Sequence, residues 1–184
     1  MGEELKRYSF QLINDVPLEV YVAMLIVFCI GALILVGLCG FRKGFFYSLR
    51  LMFLEYVFLL YASTVIFRAV MSEREYDFTP FWSYRAIMDG SEPQLLTENI
   101  MNVAVFVPVG VLAGVAFRRM TWKKILMVGL CSSFGIEVLQ FVFVKGFAEV
   151  DDMMHNTAGC LLGFVIWLVL KKIGYCSLSS CKSR

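Results

Sequence analysis

Four polar side chains within one short, otherwise apolar stretch are candidates for binding or proton transfer. Glu137 and Gln140 interrupt the apolar run 136–144, and Asp152 and Asn156 follow after a short polar turn. A carboxyl group inside an apolar segment that crosses a bilayer costs roughly 3 kcal/mol or more by insertion scales, so it marks a functional site by default. Paired carboxyl groups can transfer protons in hydrolysis or group transfer. We therefore expect ligand binding or proton handling at Glu137 and Asp152.

The composition of the whole chain is that of a membrane protein. Of its 184 residues 59% are hydrophobic, and the mean hydropathy is +0.73, whereas soluble domains are roughly half apolar. These values predict the all-α class, as a bundle of transmembrane helices. The net charge of +2 and the lack of a basic aromatic surface pattern argue against a nucleic-acid partner. The six cysteines follow no zinc or redox spacing, so we expect no metal, no cofactor and no disulfide.

Five apolar segments are candidates for membrane spans, which need about 20 residues each. The third and fifth are short, so we expect their polar ends to lie in a recess lined by protein. Residues 1–44 would form an amino-terminal segment with an extra helix, residues 45–170 the main membrane domain, and residues 171–184 a basic tail. The predicted spans are residues 18–40, 45–67, 102–117, 125–144 and 156–170.

Lysine and arginine alternate between the connecting segments. One side carries Arg42 and Lys43, the loop 118–124 and the tail 171–184, whereas the loop 71–98 and the amino-terminal segment are acidic. Cytoplasmic loops carry the excess of Lys and Arg, which predicts the amino terminus outside and the carboxy terminus inside. Glu137 would then lie about 10 Å below the outer end of its helix, at 1.5 Å per residue.

Several motifs occur in an order that resembles one known family. They are Asn102-x-x-x-Phe106-x-Pro108-x-Gly110, then Glu137-x-x-Gln140, then Asp151-Asp152-x-x-x-Asn156-Thr157-x-Gly159-x-x-x-Gly163. This pattern, over about residues 77–168, resembles the VanZ-like membrane proteins, whose founding member is associated with teicoplanin resistance. The resemblance implies a multi-pass protein of the bacterial plasma membrane. In the turn after Gln140, Lys145 stands near a position where family members often carry arginine.

Each candidate residue also has a structural interpretation. The buried acid Glu137 could bond across the bundle, although such bonds average only about 0.6 kcal/mol. We expect Asp151 to be a solvated helix start and His155 to be a surface histidine. The loop 81–84 is either an interfacial aromatic anchor or a lid that offers Arg85 to a phosphate. The ligand-binding candidates are Asn102, Glu137, Gln140, Asp152, Asn156 and Arg85, and the structural candidates are Pro108, Gly110, Gly114, Gly159 and Gly163.

Two functions are the main alternatives, and a folded assembly partner that binds no ligand remains a third interpretation. In the first, an outer polar recess binds a lipophilic molecule of the cell envelope, such as an acylated glycopeptide or a lipid-linked cell-wall precursor. Membrane lipids would be the other partners, and the number of subunits is open. In the second, Glu137 and Asp152 act as acid and base of an enzyme on a lipid-linked substrate. Because no nucleophile set or H-E-x-x-H motif is present, binding is favoured over catalysis.

Overall fold

The computed structural model describes the backbone of residues 16–181 and the side chains of residues 16–173. Within that part of the chain it contains six α-helices, and five of them are long and apolar enough to cross a membrane. The expected all-α class is confirmed, and the structure contains five helices that could form the five predicted spans. The elements are α1 (Leu18–Cys39), α2 (Phe41–Tyr61) with a π-helical turn (Ala62–Ile66), β1 (Tyr76–Asp77), α3 (Trp82–Met88), α4 (Leu95–Ala116), α5 (Trp122–Phe143), β2 (Ala148–Glu149) and α6 (Val150–Cys181).

Two helices are longer than the sequence predicted. Helix α4 begins at Leu95 rather than Asn102, and α6 begins at Val150 rather than Asn156. Their first turns are polar, so the sequence placed them outside the spans, but residues such as Asn99 and Asp151 are buried by neighbouring protein. The acidic segment up to residue 15, together with Lys182 and Arg184, lies outside the described residues.

A tight hairpin joins α1 to α2. Gly40 has φ +76 and ψ 158, a backbone conformation that residues other than glycine rarely adopt. Gly44 then packs directly on α1, where an added Cβ would lie 2.6 Å from the backbone nitrogen of Val36. No residue of α1 is buried, so most of its apolar surface is left for lipid to cover.

The tightest crossing in the bundle is that of α4 with α6. A Cβ added at Gly110 would overlap the carbonyl oxygen of Cys160, and one added at Gly159 would overlap that of Val103. Small residues let membrane helices approach until their backbones touch. Gly163 contacts Val107 in the same way, Gly114 packs on the ring of Trp167, and α4 continues through Pro108.

The core lies between α4, α5 and α6 and fixes their relative heights. Phe106 and Val109 of α4 pack with Ile125 and Ile136 of α5 and with Phe164 of α6, and each is at most 3% exposed. At one end of this core, the chain between α2 and α4 folds over the helices. There β1 pairs in parallel with β2, Tyr76 opposite Ala148 and Asp77 opposite Glu149. This packing positions the segment just before α6.

Candidate functional site

A small polar cavity lies where α2 and α5 end and α4 and α6 begin. Its volume is about 80 Å³. Five of the six ligand-binding candidates line it, because the helices that carry them meet at this end of the bundle. Those five are Asn102, Glu137, Gln140, Asp152 and Asn156, joined by Thr64, Arg68, Glu98, Phe147 and Glu149 among others.

Glu137 is held by the strand that precedes α6. Its Oε2 accepts the backbone N–H of Glu149 at 3.0 Å, and only 6% of its surface is exposed. The pairing of β2 with β1 holds Glu149 in an extended conformation, which points that N–H toward the end of α5. Glu137 therefore connects α5 to the β2 segment, and it also lines the cavity.

Glu149 is a second buried acid of the cavity, and it was not among the ligand-binding candidates. Its Oε2 accepts the indole N–H of Trp82 at 2.9 Å, and Phe147 packs edge-on against the same indole. The pKa of Glu149 is raised to about 9, chiefly by burial and next by nearby Asp152, while the Trp82 hydrogen bond acts in the opposite direction. The Glu149 carboxyl group is therefore protonated at neutral pH in this structure.

Asp152 pairs with Asn102 across the α4–α6 crossing. The Asn102 Nδ2 donates to Asp152 Oδ1 at 2.6 Å. The contact is short because Gly159, two turns further along α6, lets the two backbones touch at Val103. One carboxyl oxygen of Asp152 is occupied in this way.

Two amide side chains of the cavity keep an unpartnered oxygen. Gln140 donates its Nε2 to the carbonyl of Thr64 at 3.2 Å, and Asn156 donates its Nδ2 to Ser133 Oγ at 2.8 Å. Gln140 Oε1 and Asn156 Oδ1 are buried and accept no hydrogen bond. An orphaned buried acceptor costs about 1–3 kcal/mol. Both residues line the cavity, so a donor placed there would remove this cost.

Arg68 supplies the cation that lines the cavity. It follows the π-helical turn and stacks over Gly146, where an added Cβ would lie 2.9 Å from its Nη1. Lys145 instead donates its Nζ to the carbonyl of Ile66 at 2.7 Å. Arg85, the sixth candidate, is exposed on α3 and does not line the cavity. Arg68 was not among the candidates, because its position beside the cavity depends on the path of the loop that follows α2.

Two expectations about the start of α6 are wrong. Asp151 is fully buried rather than solvated, and it accepts the N–H groups of Phe81 at 2.6 Å and Ser83 at 3.0 Å, plus Ser83 Oγ at 2.7 Å. His155 is 6% exposed rather than on the surface, and its Nε2 lies 2.8 Å from Tyr84 Oη. Both residues anchor α3, which therefore covers the beginning of α6.

The arrangement favours binding a small polar group. No group of three or more His, Cys, Asp or Glu side chains is placed to hold a metal ion anywhere in the described residues. Among the described lining residues there is no Ser, Cys, His or Lys to act as a nucleophile. The hydroxyl of Thr64 donates to the carbonyl of Leu60 at 2.6 Å.

Comparisons with known proteins agree with the motifs. Protein VanZ of Enterococcus faecium is 29% identical over 112 residues, which cover 59% of this chain and 69% of that protein. No solved protein structure matches the chain. The VanZ/LLP1 family model matches residues 20–171, a range that begins within α1 and ends in α6. The chain therefore belongs to the VanZ/LLP1 family.

Proposed function

We propose that this membrane protein binds the polar end of a lipophilic cell-envelope molecule in its cavity, and that this binding reduces susceptibility to an acylated glycopeptide. The observation that carries the proposal is the common location of Asn102, Glu137, Gln140, Asp152 and Asn156 around one enclosed space. They come from three helices, and packing alone would not require so many ionisable and amide groups there.

The size of the cavity limits what enters it. Sites that engulf drug-sized molecules have about 300–1,000 Å³, whereas this cavity has about 80 Å³. A water-sized group needs roughly 10–15 Å³, so about five to eight such groups fit in about 80 Å³. A head group or the end of a side chain fits, and the rest of an amphiphile stays among the lipids.

The distribution of basic residues supports a location of the cavity on the outer side of the membrane. It lies at the end of the bundle where α5 ends and α6 begins. Arg118, Arg119, Lys123 and Lys124 lie at the opposite end, between α4 and α5. With these basic residues in the cytoplasm, the amino terminus is outside and the cavity meets the outer leaflet of a bacterial plasma membrane.

The family association suggests the molecule concerned. The resemblance to VanZ-like proteins points to teicoplanin, which carries an acyl chain that vancomycin lacks. An acyl chain keeps its owner in the outer leaflet, where the proposed cavity opens. A lipid-linked cell-wall precursor has the same amphiphilic character and is the other candidate.

An enzymatic role for Glu137 and Asp152 ranks second. The observation in its favour is that both acids line the same cavity. However, one oxygen of each is already bonded, to the Glu149 N–H and to Asn102. Formation of a product from a lipid-linked substrate, lost in Glu137→Gln, would reverse this ranking.

The test is susceptibility of a sensitive Gram-positive host that expresses the chain. Wild type, Glu137→Gln and Asp152→Asn are compared at equal membrane abundance, with exposed Arg85→Gln as the matched control. The proposal predicts reduced teicoplanin susceptibility, unchanged vancomycin susceptibility, and loss of the effect in both cavity variants only. No shift with wild type, or an equal loss in Arg85→Gln, would contradict it.

A further inference from the structure

Two buried acceptor oxygens of residues that line the cavity have no hydrogen-bond partner, which restricts the chemistry of its ligand. We propose that the group it takes is a primary ammonium carried by an amphiphile. This inference rests on the proposed function and adds the chemical class of the head group. The contacts that carry it are the two orphaned amide oxygens and four carboxyl side chains around the same space.

The orphaned oxygens need N–H or O–H donors. Gln140 and Asn156 are each 4% exposed, and each donates an amide N–H to a protein acceptor. Only the oxygens, Gln140 Oε1 and Asn156 Oδ1, remain without partners. A primary ammonium has three N–H donors and could satisfy both oxygens while leaving one donor for a carboxyl group.

The charges favour a cation over an anion. Glu98 of α4, Glu137 of α5, Glu149 of β2 and Asp152 of α6 line the cavity from four different elements, with Arg68 as the basic residue in the lining. A phosphate inside would face these carboxyl groups and leave the orphaned oxygens unpaired. Exposed Arg68 can hold a phosphate at the rim.

The raised pKa of Glu149 agrees with a cavity whose acids are not fully compensated by a cation. Burial and the neighbouring acids Asp152, Glu137 and Glu98 raise its pKa to about 9, and the Trp82 indole opposes this. A cation near these acids favours their ionised forms. An entering ammonium would therefore replace a proton that the cavity otherwise keeps.

The dimensions also suit this group. An ammonioethyl unit has three heavy atoms, and the cavity takes about five to eight water-sized groups. The same ammonium could belong to a phospholipid or to a soluble amine, so the experiment compares both sources.

The test is competitive lipid binding to the purified full-length protein, measured by native mass spectrometry. Phosphatidylethanolamine, phosphatidylcholine and phosphatidylglycerol with identical acyl chains are mixed in equal amounts. Phosphatidylcholine is the matched probe, because it keeps the positive charge but has no N–H donor. We expect phosphatidylethanolamine to be retained at least about tenfold more than either competitor, which is about 1.4 kcal/mol.

Variants connect this preference to the cavity. Asp152→Asn and Asn156→Leu should each reduce it, and Arg85→Gln should not. A variant whose melting temperature is well below that of wild type is left out of the comparison. Because Asp152→Asn changes a carboxyl group and Asn156→Leu changes an amide, the same loss in two stably folded variants cannot be assigned to misfolding. Excess soluble ethanolamine should displace the lipid if the ammonium alone is recognised, whereas selection that survives this competitor assigns recognition to the ammonium on a lipid.

Two results would overturn the inference. Equal retention of the ethanolamine and choline lipids would show that N–H donors are not recognised. Preference for phosphatidylglycerol would show that Arg68 and an anion dominate; if Glu137→Gln removed that preference, the proposed function would stand while the ammonium inference failed. Lack of any head-group preference, together with unchanged glycopeptide susceptibility, would reject both.

Discussion

Asp151→Asn should release α3 from the bundle without unfolding the transmembrane helices. In the wild type both carboxyl oxygens are used, Oδ1 by the Phe81 N–H and Oδ2 by the Ser83 N–H and hydroxyl. Asn99 Nδ2 donates to the same Ser83 Oγ at 3.2 Å, so the contact extends to α4. An asparagine has a single acceptor oxygen, and its N–H₂ would face at least one of these donors.

The magnitude follows from the number of bonds lost. A hydrogen bond to a charged group contributes about 1.5–3 kcal/mol net. Losing one of the three would make local opening of α3 about 10- to 150-fold more frequent, since one tenfold step is about 1.4 kcal/mol. The buried location of Asp151, which is 0% exposed, means that water does not replace the lost bond.

Hydrogen–deuterium exchange of the protein in detergent or nanodiscs measures this opening. We expect faster exchange in residues 79–90 of Asp151→Asn and unchanged exchange in α4 and α5. Asp89→Asn is the matched control, because Asp89 belongs to the same segment and is exposed. Unchanged exchange at Phe81 and Ser83 in Asp151→Asn would refute the assignment of Asp151 as the anchor of α3.

Three further predictions concern acid–base behaviour, packing and charge. The pKa of Glu149 in the folded protein is about 9, above its ordinary value of 4.5, so between these pH values the folded state holds a proton that the unfolded state loses, and stability should fall as pH rises. The melting temperature of Glu149→Gln should fall less over this pH range than that of wild type, and an equal fall in both would contradict this. Gly159→Ala should lower stability by about 1–3 kcal/mol, because the added Cβ overlaps the Val103 carbonyl. Gly37→Ala on α1 should not destabilise the protein, because nothing lies within 4 Å of the added Cβ; equal melting temperatures of the two variants would reject the α4–α6 crossing. Arg68→Gln should alter teicoplanin susceptibility at equal abundance and Arg85→Gln should not, and the opposite order would place the functional cation on α3.

The five helices could be predicted from the sequence, since apolar runs of sufficient length suffice for that. Their ends could not be placed well, because the first turns of α4 and α6 carry polar residues whose partners lie far away in the chain. Asp151 is the clearest case: its donors Phe81 and Ser83 are about 70 residues distant, and a buried and a solvated aspartate look alike in sequence.

The cavity was predictable where helix geometry alone determines side-chain direction. Glu137 and Gln140 are one turn apart on α5, and Asp152 and Asn156 are one turn apart on α6, so both pairs point to one side of their helices. Arg68 was missed because it follows a π-helical turn, and Glu149 was missed because it lies in a two-residue strand. Their directions depend on tertiary contacts rather than on spacing.

The proposed function requires that the cavity opens to the outside and receives the polar end of an amphiphile. Phe147→Cys, in a chain whose six cysteines are replaced, places a thiol at the cavity lining, and its labelling by a membrane-impermeant reagent on intact cells is the most direct measurement. We expect labelling from outside that slows when teicoplanin is present. Labelling only after permeabilisation, or a rate that teicoplanin does not change, would contradict it.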